Sequence, residues 1–170
     1  VVWELCSKQI DTSTLKHLNN ILKLGDLNER TGSTLLVHGT TKYSRAILLR
    51  IGVHSDLTPK EFFKGIASVS DELNNIKFTK IIFPINQFVN KLITEQAATE
   101  YLVRALFDKV YVINSLKTQN KSKPANFQVY LHANKLTIKE IKLGLKNGQA
   151  ISRGVDLTKD LGNLPPNICT

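Results

Sequence analysis

From Leu136 to Gly162 the apolar residues Ile138, Ile141, Leu145, Ile151, Val155 and Leu161 recur at helical spacing, and Pro165-Pro166 cannot continue the helix. Leu136-Thr137-Ile138-Lys139-Glu140-Ile141 opens this pattern with a threonine N-cap, a glutamate three residues on to close a capping box, and apolar residues placed for a staple. A helix of roughly 25 residues at 1.5 Å rise runs about 37 Å, longer than a compact domain of this size needs. Such a helix reaches towards something else.

Upstream, apolar runs with strand character alternate with helical patterns. Val1 to Leu5 reads as a strand, and Asp11-Thr12-Ser13-Thr14 starts a helix carrying Leu15, Leu18, Ile21 and Leu22 that ends before Gly25. Ser33 to Val37 and Arg45 to Val53 read as two buried strands joined by a short polar loop. Thr58 as N-cap, Pro59 at the first helical position, Glu61 in a capping box and Leu57 stapled onto Phe62 start the next helix, which continues through Phe63, Ile66, Val69 and Leu73. Lys80 to Pro84 reads as a strand buried on both faces. Ile93-Thr94-Glu95 caps a helix bearing Ala97, Ala98, Tyr101, Leu102, Ala105 and Leu106. Asp108 to Lys123 turns polar and reads as a loop, with Val110 to Ile113 a short strand within it. Asn126 to His132 alternates Phe127, Val129 and Leu131 on one side, a strand with one wetter face. The alternation predicts an α/β fold, helices flanking a mostly parallel or mixed sheet.

The chain has 170 residues, 42% of them apolar, enough for one well-buried core. No apolar run approaches the roughly 20 residues of a membrane span, and the first residues lack a basic-then-apolar secretory pattern, so a soluble intracellular protein is expected. Cys6 and Cys169 stand near opposite ends without a second ligand at metal spacing and read as plain thiols. The absence of Met and the opening on Val1-Val2-Trp3 read as trimmed ends.

No catalytic, cofactor-binding or metal-binding residue can be assembled. His17, His38, His54 and His132 are scattered without partners at metal-helix spacing, and there is neither a G-x-S-x-G elbow nor a glycine-rich phosphate loop. The carboxylates Asp11, Asp26, Glu29, Asp56, Glu61, Asp71, Glu72, Glu95 and Glu100 fall at helix caps and exposed faces. Charge is the exception. The formal net charge is +9, and Arg104, Lys109, Lys117, Lys121, Lys123, Lys135, Lys139, Lys142 and Lys146 face only Asp108 and Glu140 over their stretch. The plain reading is a solvated surface; the sharper one is phosphate-backbone contact, with Lys117, Lys121 and Lys123 as the candidate nucleic-acid contacts.

Asp160-Leu161-Gly162-Asn163-Leu164-Pro165-Pro166-Asn167-Ile168-Cys169-Thr170 resembles a stretch characteristic of the leucyl aminopeptidase (cytosol aminopeptidase) family. Arg45 to Gly52, Leu57 to Phe62 and Thr99 to Val103 resemble successive elements of that family's amino-terminal domain. The resemblance implies a macro-domain-like fold, a three-layer mixed sheet flanked by helices. It implies that residues 1–135 form the amino-terminal domain and 136–170 the interdomain linker helix and the start of a catalytic domain. It further implies a cytoplasmic homohexameric parent that uses two divalent metal ions, zinc or manganese, to release amino-terminal residues from peptides. The family's catalytic and metal-binding residues lie beyond Thr170, so none is carried over. The expected role is a non-catalytic domain serving assembly or access to the active site. A DNA-binding module is the alternative, since some bacterial members of the family bind DNA. Nucleotide binding in a macro-like cleft is the third reading, and the missing phosphate loop speaks against it.

Overall fold

The computed structural model describes residues 12–39, 44–76, 78–112, 127–132 and 135–164. The strand expected at Val1 to Leu5, the candidate contacts Lys117, Lys121 and Lys123, both cysteines and Pro165-Pro166 lie outside them. Helix α1 (Thr12–Leu24) stops at Gly25, whose φ of 81° is the left-handed conformation that ends helices. Strand β1 (Thr34–His38) then pairs antiparallel with β2 (Arg45–Leu49), from Thr34 opposite Leu49 to His38 opposite Arg45. Only Val37 of this pair is fully buried. The two strands therefore flank the core and are not the buried pair that their continuous apolar runs predict.

Helix α2 (Pro59–Asn74) starts with the expected devices. The Glu61 amide donates to Thr58 Oγ1 at 3.3 Å, the Thr58 amide donates to Glu61 Oε2 at 3.0 Å, and Pro59 fills the first turn. Bonds from the Thr58 amide and hydroxyl hold the Glu61 carboxyl below the usual glutamate range. Leu57 and Phe62 are both wholly buried in one cluster with Ile66, Ile85, Ile93 and Leu102.

Strand β3 (Lys80–Pro84) runs parallel to β4 (Gln128–His132), with Lys80 opposite Gln128 and Pro84 opposite His132. A parallel pair needs a long crossover, and helix α3 (Glu95–Val110) lies within it. The two-residue period of the pleat turns Ile81, Phe83, Val129 and Leu131 to the core, whereas Ile82 is 52% exposed opposite a half-exposed Tyr130. β3 is thus buried on one face, not two. Helix α3 begins as expected, the Ala97 amide donating to Thr94 Oγ1 at 3.2 Å, but runs through Val110. It absorbs the start of the expected loop and short strand. Lys109 ends it favourably, sitting at the negative end of the helix and reaching Asp71 of α2 at 2.7 Å. Among the described residues the architecture is therefore α/β, four α-helices with one antiparallel and one parallel strand pair.

Helix α4 (Ile138–Asn163) has 26 residues and is about 39 Å long. Its entry departs from expectation. A 3₁₀ turn, Lys135–Thr137, leads into it, Thr137 has φ −105° and ψ 13°, and its side chain makes no cap bond. Capping needs extended backbone to aim the hydroxyl at the first turn, so the box does not close. Leu136 is 86% exposed, so the staple is not made either.

The buried face of α4 takes only part of the expected apolar pattern, Ile141 and the partly buried Leu145. Ile141, Gly144, Gly148 and Ser152 are buried, while Ile138, Ile151, Val155 and Leu161 are exposed. Residues four apart share a helix face, and here that face is built from small residues against α3. A methyl group on Gly148 would lie 2.8 Å from Val103 Cβ and 3.0 Å from the Glu100 carbonyl oxygen. One on Gly144 would lie 2.9 Å from Thr99 Cβ and overlap the Gln96 carbonyl. Alanine in a helix is worth about 1 kcal/mol over glycine, whereas overpacking costs about 1–3 kcal/mol, so the clash prevails. Gly144→Ala is expected to lower stability by about 1 kcal/mol or more in urea unfolding. Gly154→Ala, with nothing within 4 Å of the added methyl, is expected to raise it by about 0.5–1 kcal/mol. A gain in both variants would contradict the close approach of α3 and α4.

Candidate functional site on the long helix

Past Ser152, none of residues 153–163 is buried, and α4 is held by polar contacts instead. Tyr111, just beyond α3, donates its hydroxyl to Asp160 Oδ1 at 2.7 Å. Lys159 bonds the Asp108 carboxylate and lies 4.7 Å from the centroid of the Tyr111 ring. The Asp160 hydrogen bond, with burial and the nearby charges of Asp160 and Asp156, raises the Tyr111 phenol to about 12. These contacts fix the direction in which the helix leaves α3 while its apolar residues Val155, Leu157 and Leu161 stay uncovered.

Where α2, α3 and α4 meet, a cleft of about 240 Å³ is walled by Phe63, Ile151 and Val155, with Arg104, Asp108, Ser152 and Asp156 supplying polar atoms. Arg104 is held by Glu100 at 3.5 Å and lies 5.6 and 5.7 Å from the ring centroids of Phe63 and Tyr101. Ser152 Oγ is buried there without a hydrogen-bond partner. An apolar wall beside an unsatisfied hydroxyl suits a packed protein segment better than it suits chemistry on a small substrate.

The basic stretch separates into two parts. Arg104 and Lys109 are compensated by Glu100 and Asp71, the latter from α2, so part of the imbalance disappears on folding. Lys139, Lys142 and Lys146 are exposed, and Arg153 extends their line. Offsets of three, seven and fourteen residues put all four on one helix face, a stripe about 21 Å long. Arg153 fell outside the stretch weighed in the sequence, although its heptad spacing from Lys146 was there to be read.

The histidines do not gather into a site. His17 Nε2 lies 3.3 Å from the His38 carbonyl oxygen, the His54 carbonyl accepts from Asn90 at 2.8 Å, and His132 ends β4. Among the described residues no group of three or more His, Cys, Asp or Glu side chains is placed to hold a metal ion. No described helix is long and apolar enough to cross a membrane.

Comparison with known proteins gives this α/β body a family. The profile of the cytosol aminopeptidase family, N-terminal domain, matches residues 4–120. The cytosol aminopeptidase of Pseudomonas aeruginosa is 31% identical over 166 residues, which is 96% of this chain and 33% of that protein. A protein named "probable cytosol aminopeptidase" from Paraburkholderia phymatum is 31% identical over 169 residues, 95% of this chain and 33% of its own length. This chain belongs to the cytosol aminopeptidase family and corresponds to its amino-terminal domain. It spans about a third of the length of the curated relatives it matches.

The Tyr111–Asp160 bond yields a pH prediction. The fold favours the neutral phenol, so its contribution is complete below the ordinary tyrosine value near 10 and is lost as pH rises through about 12. Tyr111→Phe is expected to lower stability at pH 7 to 9, with the difference from wild type vanishing as pH climbs from 10 towards 12. Ultraviolet titration is expected to show a late ionisation from Tyr111 that Asp160→Asn moves to lower pH. An unchanged titration in that variant would contradict the assignment.

Proposed function

We propose that this chain is the non-catalytic amino-terminal domain of a leucyl aminopeptidase. In this reading its parent is a cytoplasmic, homohexameric exopeptidase using two zinc or manganese ions to release amino-terminal residues from peptides. The observation that carries the reading is α4, glycine-packed at its start, held by polar contacts at its end, and bearing uncovered Val155, Leu157 and Leu161 in a family member that spans a third of its relatives' length. Residues 1–135 form the domain and 136–170 the tether to the catalytic part. Family membership, with both antiparallel and parallel strand pairing, supports a macro-like, three-layer arrangement.

The described residues do not fit a metal pair, because no cluster of acidic, histidine or cysteine donors converges. A two-metal hydrolase needs several such ligands in one cavity. The domain's contribution is positional, in assembly or in access of peptides to the active site. The 170-residue chain is expected to hydrolyse no leucine amide above background with manganese or zinc added, while the intact protein does. Turnover by the chain alone would overturn the reading.

One observation favours a second reading, DNA binding through the stripe Lys139, Lys142, Lys146 and Arg153. Four exposed cations along about 21 Å of one helix face form a positive stripe of the kind that contacts a phosphate backbone. The expected result is duplex binding that falls steeply with salt, with the logarithmic salt slope reduced by about 1 for each stripe residue changed to glutamine. No binding at low salt would remove this reading.

A further inference from the structure

A second concavity lies at the opposite end of the sequence, where the turn before β1 meets α2. Arg30, Thr31, Gly32 and Ser33 on the turn, with Lys64 and Ser68 one helical turn apart on α2, enclose about 260 Å³. No carboxylate lines this cleft, and neither Arg30 nor Lys64 has an ion-pair partner among the described residues. Two like charges thus share one hollow with no carboxylate to compensate them, which makes its potential positive.

Much of the main chain around the cleft is already committed. The Gly32 amide donates to the Arg50 carbonyl at 2.7 Å, the Ser33 amide to the Arg30 carbonyl at 3.1 Å, and the Arg50 amide to the Ser33 carbonyl at 2.9 Å. Recognition therefore falls to side chains, unlike a glycine-rich phosphate loop. Thr31 and Ser33 add hydroxyl donors. The Ser68 hydroxyl donates to the Lys64 carbonyl at 3.2 Å, long for an O–H···O bond and readily exchanged for a stronger acceptor. Gly32 has φ 89°, and a Cβ there would point at Ser68 Oγ, 3.9 Å away, so any side chain would grow into the hollow. Arg50, bonded through its main chain to both Gly32 and Ser33, has a buried Nε without a hydrogen-bond partner.

We propose that this cleft binds a tetrahedral oxyanion, with Arg30 and Lys64 neutralising its charge and the Thr31, Ser33 and Ser68 hydroxyls orienting its oxygens. The volume is below the roughly 300 Å³ at which clefts take whole organic ligands. The ligand is accordingly a free phosphate or sulfate, or the phosphate of a nucleic-acid chain whose remainder lies outside. The inference rests on neither the aminopeptidase nor the stripe reading.

The test is calorimetric titration of the intact protein with inorganic phosphate at low ionic strength, with chloride at matched ionic strength as control. Saturable binding of phosphate but not chloride is expected. The double substitution Arg30→Glu with Lys64→Glu is expected to weaken it roughly tenfold or more, the weight of a charged hydrogen bond, and Ser33→Ala to weaken it less. Arg30 and Lys64 are exposed, so an unchanged unfolding temperature will show that the double variant is folded. Glutamine variants of Lys139, Lys142 and Lys146 are expected to bind phosphate as wild type does. Displacement of phosphate by duplex DNA would identify the natural source as a nucleic-acid backbone, and its failure would identify free phosphate; the site stands in both cases. No saturable phosphate binding, equal binding of chloride, or undiminished affinity in the double variant would overturn it.

Discussion

The close approach of α3 and α4 at Gly144 and Gly148 is the contact on which the rest of the described structure depends. Where one helix faces its neighbour with glycines it loses its share of the side-chain layer that normally separates the two, so the α4 backbone packs directly on Thr99, Val103 and main-chain carbonyls of α3. The positions are strict, because an added methyl meets Val103 and the Glu100 carbonyl at one site and Thr99 and the Gln96 carbonyl at the other. Because α3 also supplies Leu102, Ala105 and Leu106 to the core shared with α2, the register of the long helix is tied to the body of the domain.

That contact has a consequence for function. By using glycines for much of its burial, α4 leaves Ile151, Val155, Leu157 and Leu161 exposed. Ile151 and Val155 line a cleft with Phe63, and Leu157 and Leu161 lie further out. A helix end that would otherwise fray is steadied by Tyr111 on Asp160 and Lys159 on Asp108. Polar contacts suit this place, since they set a direction without using the apolar surface.

Local chemistry made several elements readable. Thr58-Pro59-Lys60-Glu61 encodes its own helix start, because cap, first turn and reciprocal bonds involve neighbours only. Val129 and Leu131 announced the inner face of β4 because the strand period is local. The same pattern at Leu136-Thr137 misled, since a preceding 3₁₀ turn changed the backbone angles that the cap needs. Ile82 misled for a different reason. An apolar run indicates what a strand can bury, and only its packing decides which face does. The basic stretch overstated its charge, because Asp71, far away in the sequence, pairs with Lys109.

The order of residues fixed the alternation of strands and helices, the length of α4, the absence of any familiar catalytic motif and the family resemblance. All of these depend on neighbours along the chain. Tertiary structure decided which face of α4 is buried, which cations remain unpaired, and that Arg30 and Ser33 share a hollow with Lys64 and Ser68. Those outcomes depend on segments thirty or more residues apart, and glycines carry no hydrophobic signal to mark where two backbones meet.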